Sequence, residues 1–155
     1  MRFLYAFLYI LVISILIFLV GRIYPRKYIY EDRFPFKSFS FEKEGAVYNR
    51  LNILKWKTKL PDASMILGRL FPRMIPKKRI EDSRKVPVLI KETCVAEMTH
   101  VVAAILGFGC VWLWKGVGGW IMAIAFLLFN LPYVIMQRFN RPRLKRAVEM
   151  LNNRK

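Results

Sequence analysis

The sequence predicts an all-α integral membrane protein, with about three transmembrane helices and short interfacial helices in a basic cytoplasmic loop. The first observation is composition: 55% of the 155 residues are hydrophobic, yet 27 Lys and Arg outnumber 10 Asp and Glu, giving a formal net charge of +17. The second is three separate apolar segments, each about as long as a membrane-spanning helix. Ordinary soluble domains do not combine these features. We expect residues 1–155 to form a single membrane domain.

The first apolar segment, residues 3–20, contains no charge, Gly or Pro and is long enough to cross a bilayer. A cleaved signal peptide is the alternative, because Arg2 supplies a short positive start. The segment is long for a signal peptide, however, and Gly21-Arg22-Ile23 offers no small-residue cleavage site. We therefore expect a retained transmembrane helix.

The second and third apolar segments, residues 94–114 and 117–136, are separated only by Lys115 and Gly116. Each has about 20 residues, and a helix of that length rises about 30 Å, the thickness of the hydrocarbon layer. So short a connection predicts a tight helical hairpin.

Charge is distributed unevenly around these segments. Residues 21–95 hold 18 of the 27 Lys and Arg residues and 8 of the 10 acidic residues, and a second basic group follows in residues 137–155. The positive-inside rule places both regions in the cytoplasm, and places the N-terminus and the Lys115 turn outside. Much of the positive charge is then explained by membrane topology and by attraction to anionic lipid headgroups. That attraction is worth about 1 kcal/mol per Lys or Arg near the surface. No recognised nucleic-acid module accompanies it, so nucleic acid is not an expected partner.

The loop between the first two segments, residues 21–92, contains many aromatic residues and stretches such as residues 65–71 that mix apolar and basic side chains. Interfacial helices have this composition, so we expect the loop to lie on the membrane surface. Four prolines predict two or three short helices rather than one long helix: Pro35, Pro61, Pro72 and Pro76.

The two cysteines, Cys94 and Cys110, lie 16 residues apart on one predicted helix. That spacing is about 24 Å along the axis, well beyond the roughly 7 Å limit between Cα atoms for a disulfide. Both are expected to be packing residues, although Cys94 is close enough to the next motif for a nucleophilic role to stay open.

Glu97 and His100 form the most informative motif, and His100 is the only histidine. Residues three apart lie on one face of a helix, so the carboxylate and the imidazole can touch. A charge within a spanning helix costs about 2.5 to 3.5 kcal/mol, so such residues usually face a cavity or a partner. A carboxylate that fixes the imidazole tautomer makes the other ring nitrogen a general base. The alternative is a hydrogen-bonded pair that holds helices together.

Topology brings arginines toward this pair. If the second helix leaves the cytoplasm near Glu92, His100 lies about 12 Å along it, and the third helix returns to the same side before a basic stretch at residues 137–143. Arginines at that depth can bind the phosphate of a thioester carrier or polarise an acyl carbonyl, with headgroup anchoring as the alternative. In the third segment, Asn130 beside Pro132 can line a cavity or merely accompany a bend.

Three blocks of residues, covering about a third of the chain, have distinctive spacing. The first contains Phe36-Lys37-Ser38-Phe39, Phe41-Glu42-Lys43, Gly45, Asn49, Lys55-Trp56-Lys57, Lys59 and Asp62. The second is Glu92-Thr93, Ala96-Glu97 and His100, and the third is Asn130, Pro132, Gln137-Arg138 and Asn140-Arg141-Pro142-Arg143-Leu144. Together they resemble the glycosyl-4,4'-diaponeurosporenoate acyltransferases of staphylococcal-type carotenoid synthesis.

The resemblance implies transfer of a fatty acyl group to a sugar hydroxyl, in the carotenoid case the 6-hydroxyl of a glucosyl ester. It also implies a multi-pass protein of the bacterial cell membrane whose active site faces the cytoplasm. His100 would remove the hydroxyl proton, Glu97 would orient the imidazole, and Arg138 and Arg141 would hold donor phosphate or the developing oxyanion. Further substrate contacts would come from Glu92, Asn130, Gln137, Asn140, Arg143, Trp56, Lys57 and Asp62. The expected donor is acyl-CoA or acyl carrier protein, the acceptor is a carotenoid glycoside or another glycolipid, and no other cofactor is expected.

Other enzyme classes lack their motifs in this sequence. No Asp follows His100, so the His-x-x-x-x-Asp motif of common glycerolipid acyltransferases is missing. No nucleophile elbow or phosphate-binding loop occurs, and a single histidine without a nearby Asp argues against a catalytic metal. Two alternatives stay open: a non-catalytic membrane adaptor with a basic cytoplasmic face, and a lipid methyltransferase, which would need a nucleoside cofactor.

Overall fold

The computed structural model describes residues 1–56, 59–60 and 86–153, and within these ranges the chain forms helices and turns without a strand. The α-helices are α1 (Arg2–Ile23), α2 (Ile53–Trp56), α3 (Val86–Gly107), α4 (Cys110–Leu113) and α5 (Val117–Asn152), and two 3-10 helices span Arg26–Tyr28 and Ser40–Leu51. Three helical stretches are long and apolar enough to cross a membrane: Arg2–Ile23, Val86–Leu113 and Val117–Met150. The predicted all-α membrane fold is confirmed.

Polar side chains of helix α1 bond to backbone carbonyls, as is required of polar groups in lipid. The Ser14 hydroxyl donates to the Ile10 carbonyl at 2.7 Å. The helix ends just before Pro25, because a proline disfavours the helical conformation of the residue that precedes it. The Arg26 guanidinium then donates to the carbonyls of Gly21, at 2.9 Å, and Tyr24. A cation at the C-terminal end of a helix also stabilises the helix dipole.

The long helices extend beyond the apolar segments that predicted them. The described part of helix α3 extends from Val86, inside the segment expected to be loop. Helix α5 continues to Asn152, through the expected basic tail, because Arg, Lys, Leu, Glu and Met are good helix formers. Hydropathy therefore identifies the part of a helix that is suited to lipid, while the helix propensity of the flanking residues extends the helix beyond that part.

The chain divides into two compact units. The apolar unit comprises Met1–Ile29 and Cys94–Gln137, and the basic unit comprises the described residues of Tyr30–Thr93 and Arg138–Lys155. Helices α3 and α5 contribute residues to each unit. The polar residues that the sequence analysis selected are distributed over the two.

The apolar unit is centred on Ile13, Ala103 and Phe126, one residue from each long helix. The Tyr9 hydroxyl donates to the Leu106 carbonyl at 2.8 Å and joins α1 to α3. Most other side chains of α1 are exposed, including Phe3, Leu8, Leu11, Leu16 and Val20. This apolar surface is what a helix in contact with lipid presents.

The turn before α5 lies where the sequence predicted the connection of the helical hairpin. Gly116 has φ +98°, a left-handed conformation that glycine adopts without steric cost. Cys94 and Cys110 are both buried and do not form a disulfide with each other, as their spacing predicted. The Cys110 thiol lies 3.8 Å from the Ala6 carbonyl oxygen, which is consistent with a packing role.

The basic unit is built around the 3-10 helix Ser40–Leu51. Gly45, at φ +88°, lies directly against α5, where an added Cβ would be 3.6 Å from the Phe139 carbonyl oxygen and 3.7 Å from Pro142 Cγ. Phe139 is 2% exposed. The Trp56 indole donates to the Leu51 carbonyl at 2.9 Å and holds α2 against the 3-10 helix. The predicted surface stretch 65–71 lies outside the described residues.

Candidate active site

A chain of hydrogen bonds within the apolar unit orients His100. Its Nδ1 lies 2.9 Å from Oδ1 of Asn130, and Nδ2 of Asn130 donates to the Phe126 carbonyl at 2.8 Å. A carbonyl only accepts, so the amide nitrogen must face Phe126 and the amide oxygen must face the imidazole. Nδ1 therefore carries the hydrogen of the neutral ring.

This arrangement selects the tautomer that leaves a lone pair on Nε2. The imidazole also stacks on the Tyr133 ring, with centroids 4.6 Å apart and an interplanar angle of 12°. A hydrogen bond along one edge and an aromatic ring against one face fix both the rotation and the tilt of His100. A positioned imidazole whose tautomer is fixed in this way has the features of a general base.

Glu97 lies one turn before His100 on α3 and is 4% exposed. Its spacing from His100 predicted that this carboxylate orients the imidazole through a hydrogen bond. In the structure, Asn130 occupies that position at Nδ1. A direct contribution of Glu97 to the chemistry of His100 stays a prediction.

Gln137 lies two turns after Asn130 on α5 and is 3% exposed. Its Oε1 is buried and accepts no hydrogen bond from the described residues. A buried acceptor without a donor costs about 1 to 3 kcal/mol, so this position favours a ligand hydroxyl or a water. Asn130, Tyr133 and Gln137 are spaced three and four residues apart, which places them along one side of α5.

In the basic unit, a buried carboxylate organises the segment before the 3-10 helix. Glu42 is 2% exposed, and it accepts hydrogen bonds from Arg138 Nη1 at 2.7 Å, from the Phe39 amide at 2.9 Å and from the Tyr48 hydroxyl. Burial raises the pKa of this carboxyl, but the hydrogen bonds from Tyr48, Arg138 and Phe39 and the charge of Arg138 outweigh burial, so the pKa lies below its ordinary value of 4.5. Glu42 is therefore ionised at neutral pH.

Arg138 binds the protein's own backbone as well as Glu42. Its Nη2 donates to the Pro35 carbonyl at 2.7 Å, and its guanidinium lies 4.7 Å from the centroid of the Phe39 ring. A guanidinium offers five donors in a fixed fork. Arg138 uses that fork to hold the Pro35–Phe39 segment against α5.

Arg141 lies about one turn after Arg138, has a similar role and is 3% exposed. Nε donates to the Thr93 hydroxyl at 3.1 Å, and Nη1 donates to the Phe36 carbonyl at 2.6 Å. Arg141 also lines a cavity of about 400 Å³ in the basic unit, together with Lys37, Lys43 and other residues. The proposed ligand contacts of Arg138 and Arg141 stay predictions.

The other residues selected from the sequence lie in varied surroundings. Arg143 is exposed, 5.0 Å from the centroid of the Phe139 ring, and Trp56 is half-buried. Asn140 and Glu92 are also half-buried. Two further candidates lie outside the described residues: Lys57 and Asp62.

The structure therefore brings His100 and Asn130 together in the apolar unit, and groups Arg138 and Arg141 with the Phe36–Phe39 region in the basic unit. The expected convergence of the Glu97–His100 pair with the arginine cluster stays a prediction. Sequence reasoning missed Tyr133, whose position three residues after Asn130 was an available signal. It also missed Glu42 as the partner of Arg138, for which no local spacing provides a signal.

Comparison with known proteins shows which family this chain is similar to. The family model of glycosyl-4,4'-diaponeurosporenoate acyltransferase matches residues 32–150. Curated proteins of that name from Staphylococcus aureus are similar along nearly the whole chain: the protein of strain MRSA252 is 30% identical over 151 residues, and that of strain bovine RF122 / ET3-1 is 29% identical over 150 residues. Each match covers 95% of this chain and 88% of the relative. No solved structure matches. The chain thus belongs to the glycosyl-4,4'-diaponeurosporenoate acyltransferase family.

Proposed function

We propose that this protein is a membrane O-acyltransferase that moves a fatty acyl group onto a sugar hydroxyl of a carotenoid glycoside or a related glycolipid. The observation that carries the proposal is the hydrogen-bonded chain Phe126–Asn130–His100, which fixes the tautomer of the histidine with its lone pair on Nε2. The names of the relatives supply the reaction class and a glycosyl-4,4'-diaponeurosporenoate acceptor.

In the proposed reaction, His100 Nε2 takes the proton of the sugar hydroxyl while that oxygen attacks the thioester carbonyl of the donor. The tetrahedral intermediate then collapses, the carbon–sulfur bond breaks, and the imidazolium returns its proton to the leaving thiolate. The products are the sugar ester and the free thiol. The imidazolium is stabilised by its Nδ1–H bond to Asn130, and Glu97 is the nearby acid in sequence that would balance its charge.

Gln137 is the proposed contact for the acceptor. Its buried Oε1, which accepts no hydrogen bond from the described residues, can accept one from a second hydroxyl of the sugar. A site that leaves a buried acceptor for a substrate hydroxyl discriminates against analogues without that hydroxyl. Tyr133 holds the face of the imidazole and keeps Nε2 directed at the acceptor.

The donor is proposed to be a thioester carrier, acyl-CoA or acyl carrier protein, with no further cofactor. Arg141 is a candidate for the donor phosphate because it lines the cavity of the basic unit. Arg138 holds that unit together and is a candidate for stabilising the oxyanion. Glu92, Asn140, Arg143, Trp56, Lys57 and Asp62 remain candidate substrate contacts.

The proposed location is the bacterial cell membrane, with three helices crossing it. The three long apolar helices support a multi-pass arrangement. The excess of Lys and Arg in residues 21–95 and 137–155 supports a cytoplasmic position for both regions. A cytoplasmic site would have direct access to soluble thioester donors.

Lipid mass spectrometry tests the proposal in a host that makes the glycosyl-4,4'-diaponeurosporenoate acceptor. Wild type should produce an acylated glycolipid, while His100→Ala should lose it at an equal level of membrane protein. Val101→Ala is the matched control, since Val101 is an exposed neighbour on the same helix. An unchanged lipid profile for wild type and both variants would contradict the proposal and favour the adaptor.

A further inference from the structure

The cavity of the basic unit has an unusual concentration of charge. Its volume of about 400 Å³ lies within the range of about 300 to 1,000 Å³ typical of small-molecule sites. Two serines and three carboxylates share the lining with five cationic side chains, which are Lys37, Lys43, Arg141, Lys145 and Arg146. The lining is therefore that of a site for a polar, anionic ligand.

Only a fraction of this positive charge is neutralised within the cavity. Lys145 pairs with Asp32, which leaves four cations and two carboxylates, Glu31 and Glu149, on the lining. Among the residues that the structure describes, no ion pair joins Lys37, Lys43 or Arg146 to an acidic side chain. These three residues are exposed and can turn toward an anion that enters.

Two features give the cavity a fixed frame. Arg141 is held by hydrogen bonds to the Thr93 hydroxyl and the Phe36 carbonyl, so its guanidinium contributes a positioned charge to the wall. Lys43 has φ +44°, a left-handed conformation that is uncommon for a residue with a Cβ. Such backbone outliers concentrate at ligand sites. A positioned guanidinium and exposed lysines are groups that proteins use to bind phosphate.

We propose that this cavity binds the phosphate groups of the nucleotide end of acyl-CoA. The identification of the phosphate source rests on the proposed acyl transfer. Coenzyme A carries a diphosphate bridge and a 3'-phosphate, so it brings several negative charges to one small region. An acyl carrier protein presents a single phosphodiester beside a protein surface, which uses fewer of the cations that line a cavity of this size.

Direct binding to the full chain in zwitterionic lipid nanodiscs tests the assignment without requiring turnover. Isothermal titration with coenzyme A, 3'-dephospho-coenzyme A and pantetheine should show affinity falling in that order. Lys43→Gln and Arg146→Gln should each weaken coenzyme A binding about tenfold, the loss expected for one charged hydrogen bond. Arg50→Gln is the matched control, because Arg50 is exposed on the same 3-10 helix but does not line the cavity.

The outcomes separate this proposal from the catalytic one. His100→Ala should bind coenzyme A like wild type, so a failure of acyl transfer leaves the binding result intact. Equal affinities for coenzyme A and pantetheine, or equal losses in Arg146→Gln and Arg50→Gln, would overturn the assignment. It would also be overturned if anionic nanodiscs abolished coenzyme A binding, since headgroups would then occupy the cavity, or if only acyl carrier protein bound in a way sensitive to the cavity variants.

Discussion

Arg138 Nη1 and Glu42 Oε1 lie 2.7 Å apart although the two residues are separated by 96 positions in the chain. Their side chains are 11% and 3% exposed, so both charges are largely removed from water. The pair joins the 3-10 helix Ser40–Leu51 to the basic end of α5. The order of the basic unit should therefore depend on having both partners present.

Removing Arg138 should destabilise the protein strongly. Arg138→Ala leaves the Glu42 carboxylate buried without its cation, and loss of one partner of a buried pair typically costs about 3 to 5 kcal/mol. Thermal unfolding of the detergent-solubilised protein measures the effect. The double variant Glu42→Gln/Arg138→Gln should recover some of the loss, because no uncompensated charge then remains.

Lys145→Ala provides the matched control for that experiment. It breaks the ion pair with Asp32, whose side chain is 79% exposed, and exposed pairs contribute about 0 to 1 kcal/mol. A loss as large as that of Arg138→Ala would contradict the view that burial makes the difference.

Stability should fall in acid because of Glu42. Its pKa in the folded protein lies below 4.5, so the unfolded chain binds the proton first as pH falls. The contribution of Glu42 is complete above about pH 4.5 and is lost as pH falls through the lower folded pKa. The free energy of unfolding, measured between about pH 3 and pH 7, should fall less steeply in acid for Glu42→Gln than for wild type. Glu149→Gln, at an exposed position, should keep the wild-type slope.

The extent to which the sequence predicts the fold depends on which force sets each feature. The three long helices were predictable because lipid demands long apolar segments. Their ends were less predictable: α5 continues to Asn152, where the residues are charged but favour helix. The Glu42–Arg138 pair was not predictable, since tertiary packing alone joins positions so far apart.

The candidate active site shows the same division. His100 and Asn130 stand out in the sequence because polar residues in apolar segments are costly. Their pairing is a tertiary contact across 30 positions, whereas the pairing of His100 with Glu97 was inferred from spacing along one helix. Local periodicity shows which residues share a face, but it does not show which residue of a neighbouring helix meets that face.

Close packing of α1 against α3 should tolerate no side chain at Gly21. A Cβ there would lie 2.5 Å from Thr99 Cγ2, so Gly21→Ala should cost about 1 to 3 kcal/mol, as overpacking usually does. Thr99→Ser removes that methyl group and keeps the hydroxyl. The double variant Gly21→Ala/Thr99→Ser should therefore unfold closer to wild type than Gly21→Ala in a thermal assay. If the stability losses of Gly21→Ala and Thr99→Ser were additive in the double variant, the two residues would not be in contact.

Asn130 should act as a positioning residue for His100. Its replacement should change the pH dependence of catalysis, which the loss of a purely structural contact would not do. Asn130→Leu removes the acceptor for Nδ1–H, so the tautomer with its lone pair on Nε2 loses its preference, and we expect kcat to fall on the order of 100-fold. Asn130→Asp keeps an acceptor and adds a negative charge, which favours the imidazolium. It should therefore retain more activity than Asn130→Leu and shift the acid limb of the kcat/KM profile to higher pH. Equal losses in both variants, with no shift of the acid limb in Asn130→Asp, would show that Asn130 only holds the helices together.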